Sequence, residues 1–397
     1  MATNSKKVLY IGRIGLPNNA PSIRVYNNSC ILHDLGYDVD VLCLKESDTD
    51  CTIISYSGWL RYLFTSSKNH AKLNFIQKIG NLIEPIFNIK AKKKIKLQLS
   101  VSKPDIIITY NDLLFSSIFL NKYCKRKGIK LISDVTEWYE KRPLQKNIAN
   151  YLIPVLTDYR IRCVDKKIGN IIAISPYLRD YYLSEKCNVL FLPPVFDKST
   201  TGTIEKHNYY DYHVVNFIYA GSPGSKDILL PFIKVVSQIN EHVIKIRLDI
   251  LGVDASYVSA INNSILATES RGIFFHGKVK HDIVLDFLKN ADFTVLLRNN
   301  QRYAKAGFST KLAESMLAGV AIFANKVGGA ETLIENNLDG IVIDSPSEQD
   351  IRQGLYQILN MPETRLVTMR NKAKEKASSF FVRERYIDKF QDFIDQV

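Results

Sequence analysis

K-V-L-Y-I-G-R-I-G-L-P-N-N-A-P-S-I-R-V-Y-N-N-S-C-I-L-H-D-L-G-Y-D-V-D-V-L-C-L, residues Lys7 to Leu44, is the stretch that decides the fold. Lys7 to Ile11 is a short apolar run of the kind buried on both faces of a sheet. Gly12 to Pro21 holds two glycines and two prolines and reads as a loop. Ser22 to Leu35 has helical spacing that stops at Gly36, and Asp38 to Leu44 is a second strand. Strand, loop, helix and strand make a βαβ unit. Its strands must run parallel, because the crossover helix returns the chain to the same end of the sheet.

Working outward, further strands are expected at Asp105 to Thr109, Lys130 to Ser133 and Asn170 to Ile174, separated by helical stretches. Leu192 to His213 turns irregular, with Pro193, Pro194 and a Ser/Thr/Gly cluster at Ser199 to Thr203. The alternation then restarts. Strands are expected at Asn216 to Tyr219, Lys245 to Leu251, Ile273 to His276, Phe293 to Arg298, Ala321 to Ala324 and Gly340 to Val342. Helices are expected at Ile228 to Asn240, His281 to Asn290 and Lys311 to Leu317. The expected fold class is α/β, with two doubly wound Rossmann-like domains facing a central cleft. Residues 1–195 form the first domain, 196–213 a linker and 214–379 the second domain. The C-terminal segment 380–397 returns to the first, with Tyr386, Ile387, Phe390, Phe393 and Ile394 at helical spacing. In such sheets ligands bind outside the carboxyl ends of the strands, which suits an enzyme joining two substrates.

The chain has 397 residues, 46% hydrophobic and 23% charged, enough for two cores. Its six cysteines form no C-x-x-C pair and sit in or beside apolar segments, which points to a reducing compartment without zinc or disulfides. The polar start, Met1 to Lys7, lacks the order of a signal peptide, and no apolar run is long enough to span a bilayer. The expected location is therefore the cytoplasm. The net charge of +13 is uneven: residues 1–200 hold 30 Lys and Arg against 17 Asp and Glu, and residues 201–397 hold 23 against 23. Lys90, Lys92, Lys93, Lys94, Lys96 and Lys103 alternate with Ile89, Ile95, Leu97 and Leu99. Upstream, Trp59, Leu60, Tyr62, Leu63, Phe64, Ile83, Ile86 and Phe87 are expected to add apolar anchors. Basic residues on an amphipathic stretch suit an anionic membrane surface, and a solvated helix face is the plain alternative. Nucleic acid is not an expected partner, because no recognition motif accompanies the charge.

The most informative segment for chemistry is A-G-F-S-T-K-L-A-E-S-M-L-A-G, Ala306 to Gly319. Gly307, Phe308, Ser309 and Thr310 turn into a helix whose first free N–H groups attract phosphate; Lys311 adds a full charge and Leu312 follows it. Glu314 lies beyond the capping-box position, so capping alone does not account for it, and a carboxylate there can accept from a ribose diol. A second constellation is Y-A-G-S-P-G-S-K-D, Tyr219 to Asp227. Here a Gly-rich loop after a strand allows backbone to approach a diphosphate, and Lys226 can neutralise it. Arg298 ends another strand, with Arg302 and Lys305 behind it as weaker cations.

The Ala306 to Gly319 segment and the following G-V-A-I-F-A-N-K-V-G-G-A-E-T-L-I resemble the donor-binding signature of the retaining GT-B glycosyltransferases of family 4. The resemblance covers most of residues 214–345 and, more weakly, the first domain. It implies a GT-B fold and transfer of a sugar, with retention, from a nucleoside-diphosphate sugar to a glycan or lipid-linked acceptor. It implies that Glu314 binds the ribose, Lys226 the diphosphate, and Lys278 and Val279 the base through backbone, with Arg298, at the end of its strand, placed to add charge at the diphosphate. Glu314, Lys226 and Arg298 would then carry catalysis, by electrostatics and without a metal or other cofactor. Two positions depart from the family: its first motif glutamate is Ala306 here, and its loop arginine is Ser222. In the first domain Gly15 and Arg24 resemble the family's first loop, and Asp134, Glu137 and Trp138 are expected near an acceptor. Asp38-Val-Asp40 only mimics a metal-binding D-x-D, since it opens a Rossmann strand. Membrane association at the inner face would suit synthesis of a surface polysaccharide or lipid-linked glycan. Nucleotide-sugar epimerisation and a non-catalytic sugar-nucleotide binding role are the alternative readings of the same residues.

Overall fold

The computed structural model describes residues 5–45, 51–64, 89–140, 148–198, 214–224, 226–256 and 269–397. The chain divides into two compact units, Met1–Val195 with Arg383–Val397, and Phe196–Val382.

The first unit is built on β1 (Lys7–Gly12), β2 (Asp38–Cys43), β3 (Ile53–Tyr56), β4 (Leu60–Phe64), β5 (Ile106–Tyr110), β6 (Lys130–Val135), β7 (Asn170–Ala173) and β8 (Asn188–Phe191). Their order in the sheet is β3-β4-β2-β1-β5-β6-β7-β8. All neighbours are parallel except β3, which pairs antiparallel with β4. Helix Ala20–Asp34 makes the β1-to-β2 crossover; the Asn19 side chain caps it by accepting from Ser22 N–H at 3.1 Å, and Pro21 sits in its first turn. The C-terminal helix Ile387–Asp395 packs Phe390, Phe393 and Ile394 into the same core as Tyr10, Val25 and Ile108.

The β3–β4 hairpin overturns one expectation. Leu60, Tyr62, Leu63 and Phe64 are buried side chains of that hairpin, and Trp59 stacks on His33 with ring centroids 4.2 Å apart. They serve the core because a two-strand extension of the sheet needs an apolar face to bury. Ile83, Ile86 and Phe87 lie outside the described residues. Asp40 accepts two bonds from Arg61 at 2.7 and 2.9 Å, so the D-x-D look-alike is part of a cross-strand ion pair between β2 and β4. Cys51 is exposed, unlike the other cysteines, which are buried or half-buried. Among the described residues no helix is long and apolar enough to cross a membrane.

The second unit has β9 (Val215–Ala220), β10 (Ile246–Leu251), β11 (Ile273–Gly277), β12 (Phe293–Leu296), β13 (Ala321–Asn325) and β14 (Gly340–Ile343), ordered β11-β10-β9-β12-β13-β14 and parallel throughout. One face is filled by Phe217, Phe232, Phe293 and Phe323, with Phe217 and Phe293 stacked at 5.3 Å. Phe196 belongs here rather than to a free linker: its N–H donates to Phe381 O at 2.8 Å. Residues 199–213 lie outside the described residues. Helix Glu363–Phe380 keeps Phe380 in this unit, so the first unit resumes at Arg383, a little after the expected residue 380.

The chain leaves β9 toward β10 on one side and returns to β12 on the other. That reversal opens a crevice at the carboxyl ends of β9 and β12, where loops on either side diverge. The loops that follow these two strands carry Gly221 to Asp227 and Leu297 to Arg302.

Candidate functional site

At that crevice the backbone itself brings two charged residues together. Asp227 and Arg298 form an isolated antiparallel bridge, and Ile228 N–H donates to Leu297 O at 2.7 Å. Arg298 Nε donates to Asp227 Oδ1 at 2.9 Å. The Arg298 main-chain N–H donates to Asn325 Oδ1 at 2.8 Å, and Asn325 Nδ2 donates back to Arg298 O at 2.9 Å, which ties β12 to β13. Asp227 Oδ2 accepts from the Tyr219 hydroxyl at 2.9 Å and from the Lys311 ammonium. Lys311 Nζ also donates to the Tyr219 hydroxyl at 3.1 Å and lies 4.3 Å from the centre of that ring. Burial works to raise the Asp227 carboxyl, but the Lys311 and Arg298 cations outweigh it and hold it below its ordinary value. Burial lowers Lys311 from its ordinary value, and Asp227 only partly offsets this.

Helix Thr310–Leu317 delivers Lys311 and Glu314 three residues apart, so both project from one face. Ser309 caps it, accepting from Leu312 N–H. The two side chains line a cavity of about 380 Å³. Its apolar wall includes Leu251, Val279, Val284 and Leu288, and Gly221, Ser222, Lys278 and His281 complete its rim. Gly221 has φ +138°, and a Cβ there would stand 3.3 Å from Lys311 Nζ, so glycine lets the loop lie directly against the ammonium. Glu314 stands 3.6 Å from His281 Nε2, and this nearby carboxylate raises the histidine above its ordinary value.

The structure therefore gathers Ser222, Lys278, Val279, Lys311 and Glu314 around one cavity, with Arg298 behind Lys311. Lys226 is half-buried in the loop but does not line the cavity, whereas Lys311 and Lys278 do. Leu312 is fully buried in the core, and Phe308 packs edge-on against Phe381 with ring centroids 5.8 Å apart. Gly307 in the turn and Thr310 at the start of the helix flank the cap and are half-buried. Sequence reasoning gave no role to Asp227, although it sits in the quoted loop beside Lys226. Nor did it find Tyr219 or His281, whose partners are close only in space.

In the first unit the expected acceptor residues have internal duties. Arg24 donates to both Asp134 oxygens at 2.8 to 3.1 Å and to Leu192 O at 2.9 Å. Tyr10 donates to Asp134 at 2.5 Å, and burial followed by the Asp134 charge holds that phenol well above its ordinary value. Trp138 Nε1 donates to Asp158 at 2.9 Å. Arg24, Asp134 and Trp138 are all buried, so these side chains do not face a ligand here, whereas Glu137 is half-buried. Gly15 is buried under Lys45, whose Cε would be 2.8 Å from an added Cβ.

Residues 218–378 match the family described as glycosyl transferases group 1. An uncharacterized glycosyltransferase of Methanocaldococcus jannaschii is 21% identical over 288 residues, 69% of this chain and 70% of that one. Among solved structures, sucrose-phosphate synthase from Thermosynechococcus elongatus superposes with a TM-score of 0.72 at 14% identity over 98% of both chains. Anabaena HepE in complex with UDP-glucose does so with 0.65 at 14% identity, over 98% of this chain and 100% of the other.

Proposed function

We propose that the chain, of GT-B fold and matched over residues 218–378 by the glycosyl transferases group 1 family, is a glycosyltransferase whose cavity beside Lys311 and Glu314 holds a nucleoside-diphosphate sugar. The observation that carries this reading is the pairing on one helix face of a cation and a carboxylate at the β9/β12 crevice. Lys311, with Arg298 behind it and the helix N-terminus alongside, faces the diphosphate; Glu314 accepts from the ribose diol; the apolar wall around Val279 and Val284 takes the base. The UDP-glucose in the complex of Anabaena HepE supports a donor of this class.

In the proposed reaction the sugar C1–O bond to the diphosphate breaks and the acceptor oxygen bonds to C1 from the same face, with retention. The acceptor proton passes to the leaving phosphate oxygen. Lys311 and Arg298 stabilise the charge that grows on the diphosphate, so the catalysis is electrostatic and invokes no protein nucleophile or metal. Glu137 is the acceptor-side candidate left by the burial of its neighbours.

We further propose a cytoplasmic protein held at the inner face of a membrane, acting on a glycan or lipid-linked acceptor. Support comes from helix Ile89–Ser102, where Lys92, Lys93 and Lys96 are exposed beside exposed Leu97 and Val101, while Ile95 and Leu99 anchor the helix in the core. Such lysines contribute about 1 kcal/mol each at an anionic surface. A thermal-shift panel of nucleotide sugars tests the donor reading: a true donor raises Tm by mass action, and Glu314→Ala sharply reduces that rise. No stabilisation by any nucleotide sugar would reject it. NMR of the product anomer then tests retention, and sugar isomerisation without acceptor would point to epimerase chemistry.

A further inference from the structure

The Asp227 carboxylate is buried at the donor site, yet an anion there is at odds with binding a diphosphate. Its hydrogen bonds resolve the conflict. Oδ1 holds Arg298 Nε at 2.9 Å, and Oδ2 holds the Tyr219 hydroxyl at 2.9 Å and the Lys311 ammonium. The Asp227–Arg298 backbone bridge fixes the carboxylate by main chain, independently of any ligand. Two cations taken out of water next to each other repel and lose hydration, and one carboxylate between them relieves both costs.

We infer that Asp227 is the positioning residue of the diphosphate site: it keeps the Lys311 ammonium charged and aimed at the cavity, with Arg298 held beside it. This rests on the donor reading above. The groups facing Lys311 are Asp227 and Arg298 from the two loops, Tyr219 from β9 and Glu314 from its own helix. Burial and Arg298 disfavour the ammonium, and Asp227 opposes them. Within this cluster one carboxylate is set against two cations, so its side of the cavity keeps a positive surplus for the phosphates, while Glu314 faces the ribose end. The donor then meets a cation already in place, with no proton to take up and no side chain to swing in.

Two opposing consequences of Asp227→Asn make the test selective. The substitution removes a negative charge near the phosphates, which favours binding while Lys311 stays protonated. It also removes the partner that keeps Lys311 protonated, which disfavours binding in alkali. With UDP, GDP and ADP as calorimetric probes, the variant binds at least as tightly as wild type at about pH 7 and about tenfold more weakly at about pH 9. Asp227→Glu keeps the charge and follows the wild-type profile, which also serves if the asparagine variant does not fold. Weakening by the same factor at both pH values marks a merely structural role and overturns the assignment, as does an alkaline loss in Asp227→Glu. A wild-type chain that binds none of the three probes overturns the donor reading itself, and this inference with it.

Discussion

Both units bury a carboxylate near the carboxyl end of parallel strands, and the two carboxylates are balanced differently. Asp134 in the first unit is surrounded by Arg24, Tyr10 and Asn28, and the rest of the Arg24 fork is taken up by the carbonyls of Leu192 and Pro193. One charge meets one charge, and the ion pair is sealed from solvent. Asp227 in the second unit is shared by Lys311 and Arg298, and the surplus positive charge borders a cavity. The same fold thus yields a sealed structural cluster when charges balance and, on the proposed donor reading, a ligand site when they do not. The deciding quantity is the local charge surplus next to open space.

Breaking the balanced pair has the largest expected effect. Asp134→Ala strands a buried guanidinium and lowers stability by about 3–5 kcal/mol, read from urea unfolding of the first unit's transition. A loss under about 1 kcal/mol would show that Arg24 finds water and that the cluster is not sealed. Next comes Glu314→Ala, which removes the proposed hydrogen bonds to the ribose and weakens UDP-sugar binding by roughly 10- to 100-fold in calorimetry, with little change in the Tm of the free protein. If stability fell and affinity did not, the second cluster would be structural like the first.

The charge contrast between the units extends to their surfaces. Lys93→Gln on the first unit weakens binding to vesicles containing anionic lipid by about fivefold at low salt, whereas Lys289→Gln on the second leaves it unchanged. Equal effects would make the attraction a matter of total charge rather than of one helix. The smallest effect concerns His281. Its value is raised in the folded state by Glu314, so its contribution to stability is complete below the ordinary histidine range and is lost as pH rises through the raised value. The imidazole is 57% exposed, so solvent screening limits this to a few tenths of a kcal/mol. NMR titration of His281 should show the shift, and Glu314→Gln should return it toward an ordinary histidine.

The α/β class, the parallel strands and most strand positions were legible because Val, Ile and Leu runs of five or six residues, punctuated by glycine and proline, carry their own signal. The β3–β4 hairpin was not, since its aromatic residues look alike whether they anchor in lipid or in a core. Glu314 and Lys311 were legible as well, because they sit at fixed offsets from a cap on a single helix. Asp227 was in plain view beside Lys226 but had no visible partner.

By itself, then, the sequence determined what depends on neighbours along the chain: the two sets of strands, the Gly-rich loop, the capped helix with its cation and carboxylate, and the basic N-terminal half. Tertiary structure alone decided that Lys311 rather than Lys226 lines the cavity, which carboxylate is shared, and that Arg24 and Asp134 serve the fold. The reason is that charge balance is settled between residues brought together across strands, 110 positions apart for Arg24 and Asp134 and 84 for Lys311 and Asp227. No local pattern reports a distance in space.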